Sequence, residues 1–181
     1  MKNYRFLYSL PLLLLMAAAC QKTPNYGQTA TVKMSNGWWI TMSLNGTVVV
    51  DSAFFDTYNT ASNVGDSLFL DDLLQLSAGG SAPVLGAYYP DFKCVAVADS
   101  VNLTFSASNS GNYYFLEYGA PLSPTVNIYN GKILPNAGHS TTGVATDSIY
   151  FQVNLAGIPD TFTVAGVART GFDGDDHPVD F

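Results

Sequence analysis

Three stretches of this chain alternate apolar and polar residues with a period of two. Trp38, Ile40, Met42 and Leu44 interleave with Trp39, Thr41 and Ser43; Val101, Leu103, Phe105 and Ala107 with Asn102, Thr104 and Ser106; Ile149, Phe151, Val153 and Leu155 with Tyr150, Gln152 and Asn154. Successive side chains of an extended strand leave opposite faces, so this pattern belongs to antiparallel strands with one buried face. Further strands are expected near Ala30–Met34, Thr47–Phe55, Ser67–Leu74, Phe92–Ala98, Pro124–Tyr129 and Thr161–Ala168. Turn signals separate them at Asn36-Gly37, Asn45-Gly46, Gly79-Gly80, Ser110-Gly111-Asn112, Asn130-Gly131 and Ile158-Pro159-Asp160. Asn45-Gly46 and Asn130-Gly131 predict hairpins, because both residue types tolerate positive φ. A short helix around Asp71–Leu76 is compatible with the pattern. Eight or nine strands in one unit predict an all-β, antiparallel fold: an approximately eight-stranded closed barrel, with a β-sandwich as the alternative way of hiding strand edges.

Charge narrows the function. Of 181 residues, 12% are charged, with 14 acidic against 7 basic. A surface that neutralises phosphates needs clustered Lys and Arg, so nucleic-acid binding is excluded. The amino terminus is a separate unit: Lys2 and Arg5 precede an apolar run from Leu7 to Met16, and Ala17-Ala18-Ala19 lead into Cys20. This is a secretory signal, too short to span a bilayer. Small residues before Cys20 resemble the lipobox of bacterial lipoproteins, which implies acylation of Cys20, palmitate among the chains, and an ordinary signal peptide as the plainer alternative. Loss of Lys2 and Arg5 leaves 5 basic and 14 acidic residues, a formal charge of −9 instead of −7. Several acyl chains, at about 0.8 kcal/mol per buried methylene, hold such a chain on a membrane. The expected organisation is a signal over residues 1–19, the lipidated Cys20 with a polar tether over 20–28, and one β domain over 29–181. Gln21 is not the Asp associated with inner-membrane retention, so the resemblance implies the outer membrane.

Residues able to do chemistry are few. Cys94 lies in an apolar run and reads as a small buried thiol. His139 and His177 are the two histidines, the candidates for a general base near neutral pH, and His139-Ser140 reads as a solvated loop. Hydrolysis of a glycoside needs two carboxylates across a cleft, but thirteen Asp and Glu117 can be paired on paper in too many ways to inform. The acidic run from Asp173 to Asp180 lacks the order of an EF-hand, so it reads as a tail folded over a barrel end and no metal site is expected. Asp followed by Ser and an apolar residue recurs at Ser52, Ser67, Ser100 and Ser148. The triplet resembles an O-glycosylation acceptor of some Gram-negative envelope proteins; its plainer reading is a turn opening a strand.

Taken in order, Trp38-Trp39-Ile40, Thr57-Tyr58-Asn59-Thr60-Ala61, Asn130-Gly131-Lys132-Ile133-Leu134, Thr146-Asp147-Ser148-Ile149 and Arg169-Thr170-Gly171-Phe172 with Asp175-Asp176 resemble the lipid-binding putative hydrolase family. The resemblance implies a calycin- or lipocalin-like barrel, a lipid or small apolar ligand, and no cofactor. It brings no catalytic set, so a weak hydrolase stays an alternative. In a barrel, Trp38, Ile40, Phe105, Phe151 and Val153 would face the interior and line a ligand site or fill the core. The other function class is an adhesive or scaffold lipoprotein presenting exposed aromatics among Trp39, Tyr88-Tyr89, Tyr113-Tyr114 and Tyr118. Partners are therefore a membrane, through the acyl anchor, and a lipid or small apolar ligand.

Overall fold

A computed structural model describes residues 28–78, 90–120 and 122–176. Cys20 with its tether, Gly79-Gly80, Tyr88-Tyr89 and His177 lie outside the described residues. Eight strands form one closed antiparallel barrel: β1 (Asn36–Leu44), β2 (Thr47–Asn59), β3 (Ser67–Asp71), β4 (Lys93–Asp99), β5 (Thr104–Gly111), β6 (Thr125–His139), β7 (Ala145–Leu155) and β8 (Thr161–Ala168). Each pairs with its sequence neighbour, and β8 returns to β1 through Trp38↔Ala168 to Ser43↔Thr163, so no edge is left open. Two short helices, α1 (Gln75–Ala78) and α2 (Tyr113–Tyr118), follow β3 and β5. A sandwich is thereby replaced by full closure.

The first hairpin follows the local chemistry. Asn45 and Gly46 take φ of 50° and 81°, and Leu44 faces Thr47 across a two-residue turn. Asn130-Gly131 does not turn at all. Asn130 is left-handed (φ 55°) inside β6, and the register slips from Tyr129↔Gln152 to Lys132↔Tyr150. That is a bulge. Gly131 serves it by absence: a Cβ there would stand 2.4 Å from Phe105 Cδ2 and 2.4 Å from the Phe105 carbonyl oxygen. The ring of Phe105 lies across the space a side chain would fill.

Other expectations shift for equally local reasons. Ala30–Met34 is a turn, closed by Met34 N–H to the Thr31 carbonyl at 2.7 Å, and Asn36-Gly37 opens β1 instead of breaking the chain. The alternation at Val101 and Leu103 precedes the strand. Asp99 Oδ1 accepts from the backbone N–H of Val101 and Asn102, both at 2.9 Å, and winds this segment into a turn that leaves Val101 87% exposed. β3 stops at Asp71 because Leu73 and Leu74 are both left-handed (φ 54° and 59°), so the short helix begins only at Gln75. Asn112 is an N-cap, not a turn residue: its Oδ1 accepts from Tyr114 N–H at 3.1 Å, opening α2, and Gly119 (φ 75°) ends that helix. The buried Asn112 amide also donates to the carbonyls of Asp91 (3.1 Å) and Ser123 (2.9 Å), tying the β3–β4 and β5–β6 connections together.

Candidate functional site

The interior is the first place to look for a ligand. Trp38, Ile40, Phe105, Phe151 and Val153 all point inward and are buried, and they belong to one core with Phe55, Phe92 and Phe162. Ring centroids stand 5.5 Å apart for Phe55–Phe151, 5.8 Å for Phe55–Phe92 and Phe105–Phe151, and 6.5 Å for Phe92–Phe151. An eight-stranded barrel is just wide enough for side chains to fill, and these rings fill it. At one end Trp38 Nε1 donates to Thr57 Oγ1 at 2.8 Å, and Thr57 donates on to the Met34 carbonyl. At the other, Leu76 of α1 is buried in the core. Cys94 lies within this core, and burial pushes its thiol up to about 12.

Outside the barrel, the wall over β2–β4 is covered. Asp71 points outward and is almost wholly buried beneath α2. It accepts from Tyr58 OH (2.7 Å), Tyr114 OH (2.5 Å) and the Leu73 N–H (3.0 Å), and Lys93 Nζ lies 2.9 Å away. Burial alone would raise this carboxyl, but the bonds from Tyr114, Tyr58 and Lys93 outweigh it and hold Asp71 below the ordinary value. Tyr58 and Asp71 together raise the Lys93 ammonium. Lys93 Nζ stands 5.5 Å from the Tyr58 ring and 5.7 Å from Phe69, which stacks on Tyr58 at 5.1 Å. Asp72 faces the other way. It is fully buried, and burial first, then the hydrogen-bonded Asp91 carboxyl, raises it well above the ordinary value. Both carboxyls are buried, whereas a hydrolytic pair faces a cleft.

The wall over β4–β7 is open. A groove of about 720 Å³ is lined by Val97 and Ala98, by Asp99 and Thr104 to Ser106, by Asn130 to Lys132, and by Tyr150. This volume falls within the few hundred to about 1,000 Å³ of small-molecule sites. The β6 bulge makes it. Two residues of β6, Asn130 and Gly131, pass where β7 supplies one, so the outer surface dips to the Gly131 backbone and the edge of Phe105. Val97, 70% exposed, forms one apolar wall. Lys132 Nζ stands 5.1 Å from the Tyr150 ring, and Asn130 Nδ2 donates to Gln152 Oε1 at 2.8 Å. Among the described residues no carboxylate lies within salt-bridge distance of Lys132; the two ion pairs are Lys93–Asp71 and Arg169–Asp176. Phe105 therefore belongs to both places, packed on Phe151 within and flooring the groove without.

Of the exposed aromatics expected on the surface, Trp39 is buried edge-on against Phe54 at 5.3 Å and Tyr114 is buried on Asp71, while Tyr113, edge-on to Phe69, and Tyr118 are exposed. The four serines are partly exposed. Ser100 lies in the β4–β5 turn against Gly65, Ser67 Oγ is paired with Thr60 Oγ1 at 2.9 Å, Ser148 Oγ donates to the Gly166 carbonyl at 2.8 Å, and Ser52 is left-handed within β2. The acidic tail folds back. Asp175 accepts from Thr142 N–H (2.8 Å) and Thr170 Oγ1 (2.6 Å), and Thr170 in particular keeps it low; Asp176 pairs with Arg169. His139 is the exposed last residue of β6, not part of a loop.

Lys132 was not singled out by sequence. Its lack of a carboxylate partner among the described residues is set by which strands surround it, and the only local sign was its place after the Asn-Gly pair.

Residues 23–173 match the model of the family described as lipid-binding putative hydrolase. Comparison with curated proteins returns no match. The match spans most of the chain and the whole of the barrel. The chain belongs to this lipid-binding putative hydrolase family.

Proposed function

We propose that this member of the lipid-binding putative hydrolase family is an outer-membrane lipoprotein, anchored through acylated Cys20, that binds one lipid or similar amphipathic molecule on its barrel wall. The groove floored by Phe105 carries this reading. With the interior already filled by rings, a ligand finds apolar surface without displacing the core where the β6 bulge lowers the wall. There Val97, Ala98 and the edge of Phe105 offer an apolar bed, while Thr104, Ser106, Asn130 and Lys132 offer polar atoms along it. A mixed lining of this kind suits a molecule with an acyl part and a polar end. The anchor reading rests on the signal-like first nineteen residues and the lipobox-like approach to Cys20. Sugar on Ser52, Ser67, Ser100 or Ser148 belongs to the same envelope reading, and Ser100 in its turn is the best placed of the four.

Purification from the native membrane tests both parts. Intact mass should exceed that of the unmodified mature chain by the acyl anchor, and lipid should co-purify once the anchor is removed. A chain of unmodified mass at Cys20 contradicts the anchor. Absence of co-purifying lipid, together with no saturable uptake of a fluorescent fatty acid, contradicts the binding reading.

A further inference from the structure

We infer that the ligand of the β4–β7 groove carries an anionic headgroup, phosphate or carboxylate, which Lys132 binds at the rim beside Tyr150. The inference rests on the lipid-binding reading and adds the chemistry of the polar end.

The barrel itself shows what a lysine over a tyrosine ring on this outer wall holds. At Lys93 the ammonium lies 5.5 Å from the Tyr58 ring, and the anion it binds is the Asp71 carboxylate at 2.9 Å, with Tyr58 OH donating to the same oxygen at 2.7 Å. At Lys132 the ammonium lies 5.1 Å from the Tyr150 ring, with no carboxylate in reach among the described residues. The two arrangements share a cation and a phenol and differ in the anion. An ammonium held this way keeps three donors and a full charge, so the missing member is an anionic oxygen supplied from outside. Next to it, instead of a covering helix, lies the groove lined by Val97 and the edge of Phe105, against which the part attached to that oxygen would lie.

Asp99 also lines the groove and would oppose an anion. Its two oxygens accept from the Val101 N–H, the Asn102 N–H and the Asn102 amide at 2.9, 2.9 and 2.6 Å, which fixes the carboxylate at the turn, still charged and in contact with solvent. The acidic surface at large opposes anions too, but charges beyond about 8 Å are screened at physiological ionic strength, and Lys132 is the cation that lines the groove.

Calorimetric titration of the mature chain carrying Cys20→Ser tests this, with dodecyl phosphate, dodecanoate and dodecyl maltoside, each below its micelle-forming concentration. One or both anionic amphiphiles should bind about tenfold more tightly than the maltoside, the usual worth of a charge-assisted hydrogen bond; which of the two does so separates a phosphate from a carboxylate headgroup. Lys132→Gln should abolish the preference, and Lys132→Arg should keep it. Lys33→Gln, which removes an exposed cation outside the groove, should leave it intact. Equal binding of all three by the unsubstituted groove, or an anion preference that survives Lys132→Gln, overturns the headgroup assignment while leaving lipid binding in place. Failure of every amphiphile to bind overturns both.

Discussion

Lys93 and Lys132 stand on the outer surface of the same barrel, each over a tyrosine ring, and meet opposite surroundings. Over β2–β4 the helix α2 lays Tyr114 on Asp71, every oxygen of that carboxylate finds a donor, and Lys93 is consumed in holding it. Over β4–β7 no element among the described residues covers the wall, the β6 bulge deepens it, and Lys132 keeps its charge available. The difference teaches that similar side-chain pairs are made structural or receptive by what lies over them. Asn112, which starts α2 and ties its base down, is the residue that decides it on the closed side.

Substitutions should separate the two walls, starting with the largest effect. Phe105→Ala removes a ring shared by core and groove, and should cost about 3–5 kcal/mol of unfolding free energy, as large-to-small core changes do. Urea denaturation measures it, and a loss below about 1 kcal/mol would show that Phe105 belongs to the groove alone. On the closed wall Asp71→Asn leaves Lys93 and two tyrosine hydroxyls with a poorer acceptor; partial solvation of Lys93 places the cost at about 2–3 kcal/mol, the low end for a broken buried pair. Ligand affinity should not change. Gly131→Ala drives a Cβ into Phe105 and should cost about 1–3 kcal/mol by overpacking, with the groove distorted in step. Lys132→Gln is the smallest in stability, within about 0.5 kcal/mol, yet the one that alters anion binding. A Lys132 variant as destabilised as the Asp71 one would erase the contrast between the walls.

Acid and base separate Asp71 from its neighbour in the chain. Asp71 titrates below the unfolded value of about 3.9, so its stabilisation is present above that pH and is lost as pH falls through its folded value. Asp72 titrates well above, so the folded state holds a proton that the unfolded chain gives up, and stability falls as pH rises from about 4 through the folded value. Urea midpoints across this range should decline for the unsubstituted chain and flatten in Asp72→Asn. An unchanged decline in that variant would place the proton elsewhere.

The barrel was legible because alternation reports an inside and an outside, and all five residues placed on the inner face lie there. Two Asn-Gly pairs show where legibility ends. Asn45-Gly46 makes a hairpin because nothing but its own φ angles is asked of it. Asn130-Gly131 has the same chemistry and instead stays in a strand, because Phe105, twenty-six positions earlier, needs the room of a glycine opposite it. The helix at Tyr113–Tyr118 was hidden by aromatic residues that favour strands; only its cap at Asn112 announced it. The candidate site depends on non-local facts of the same kind: the bulge, and a wall and a lysine left uncovered and without a carboxylate among the described residues, each arise from strands brought together by closure.

Where the ligand sits is the central claim, and amide broadening by a spin-labelled fatty acid tests it most directly. On titrating doxyl-stearate into the labelled mature chain carrying Cys20→Ser, signal loss should centre on Val97, Ser106, Gly131 and Lys132 and fade towards β1 and β8. Loss centred on the inward residues Trp38, Ile40 and Val153 would show that the rings part to admit a chain into the barrel, and would contradict a site on the wall.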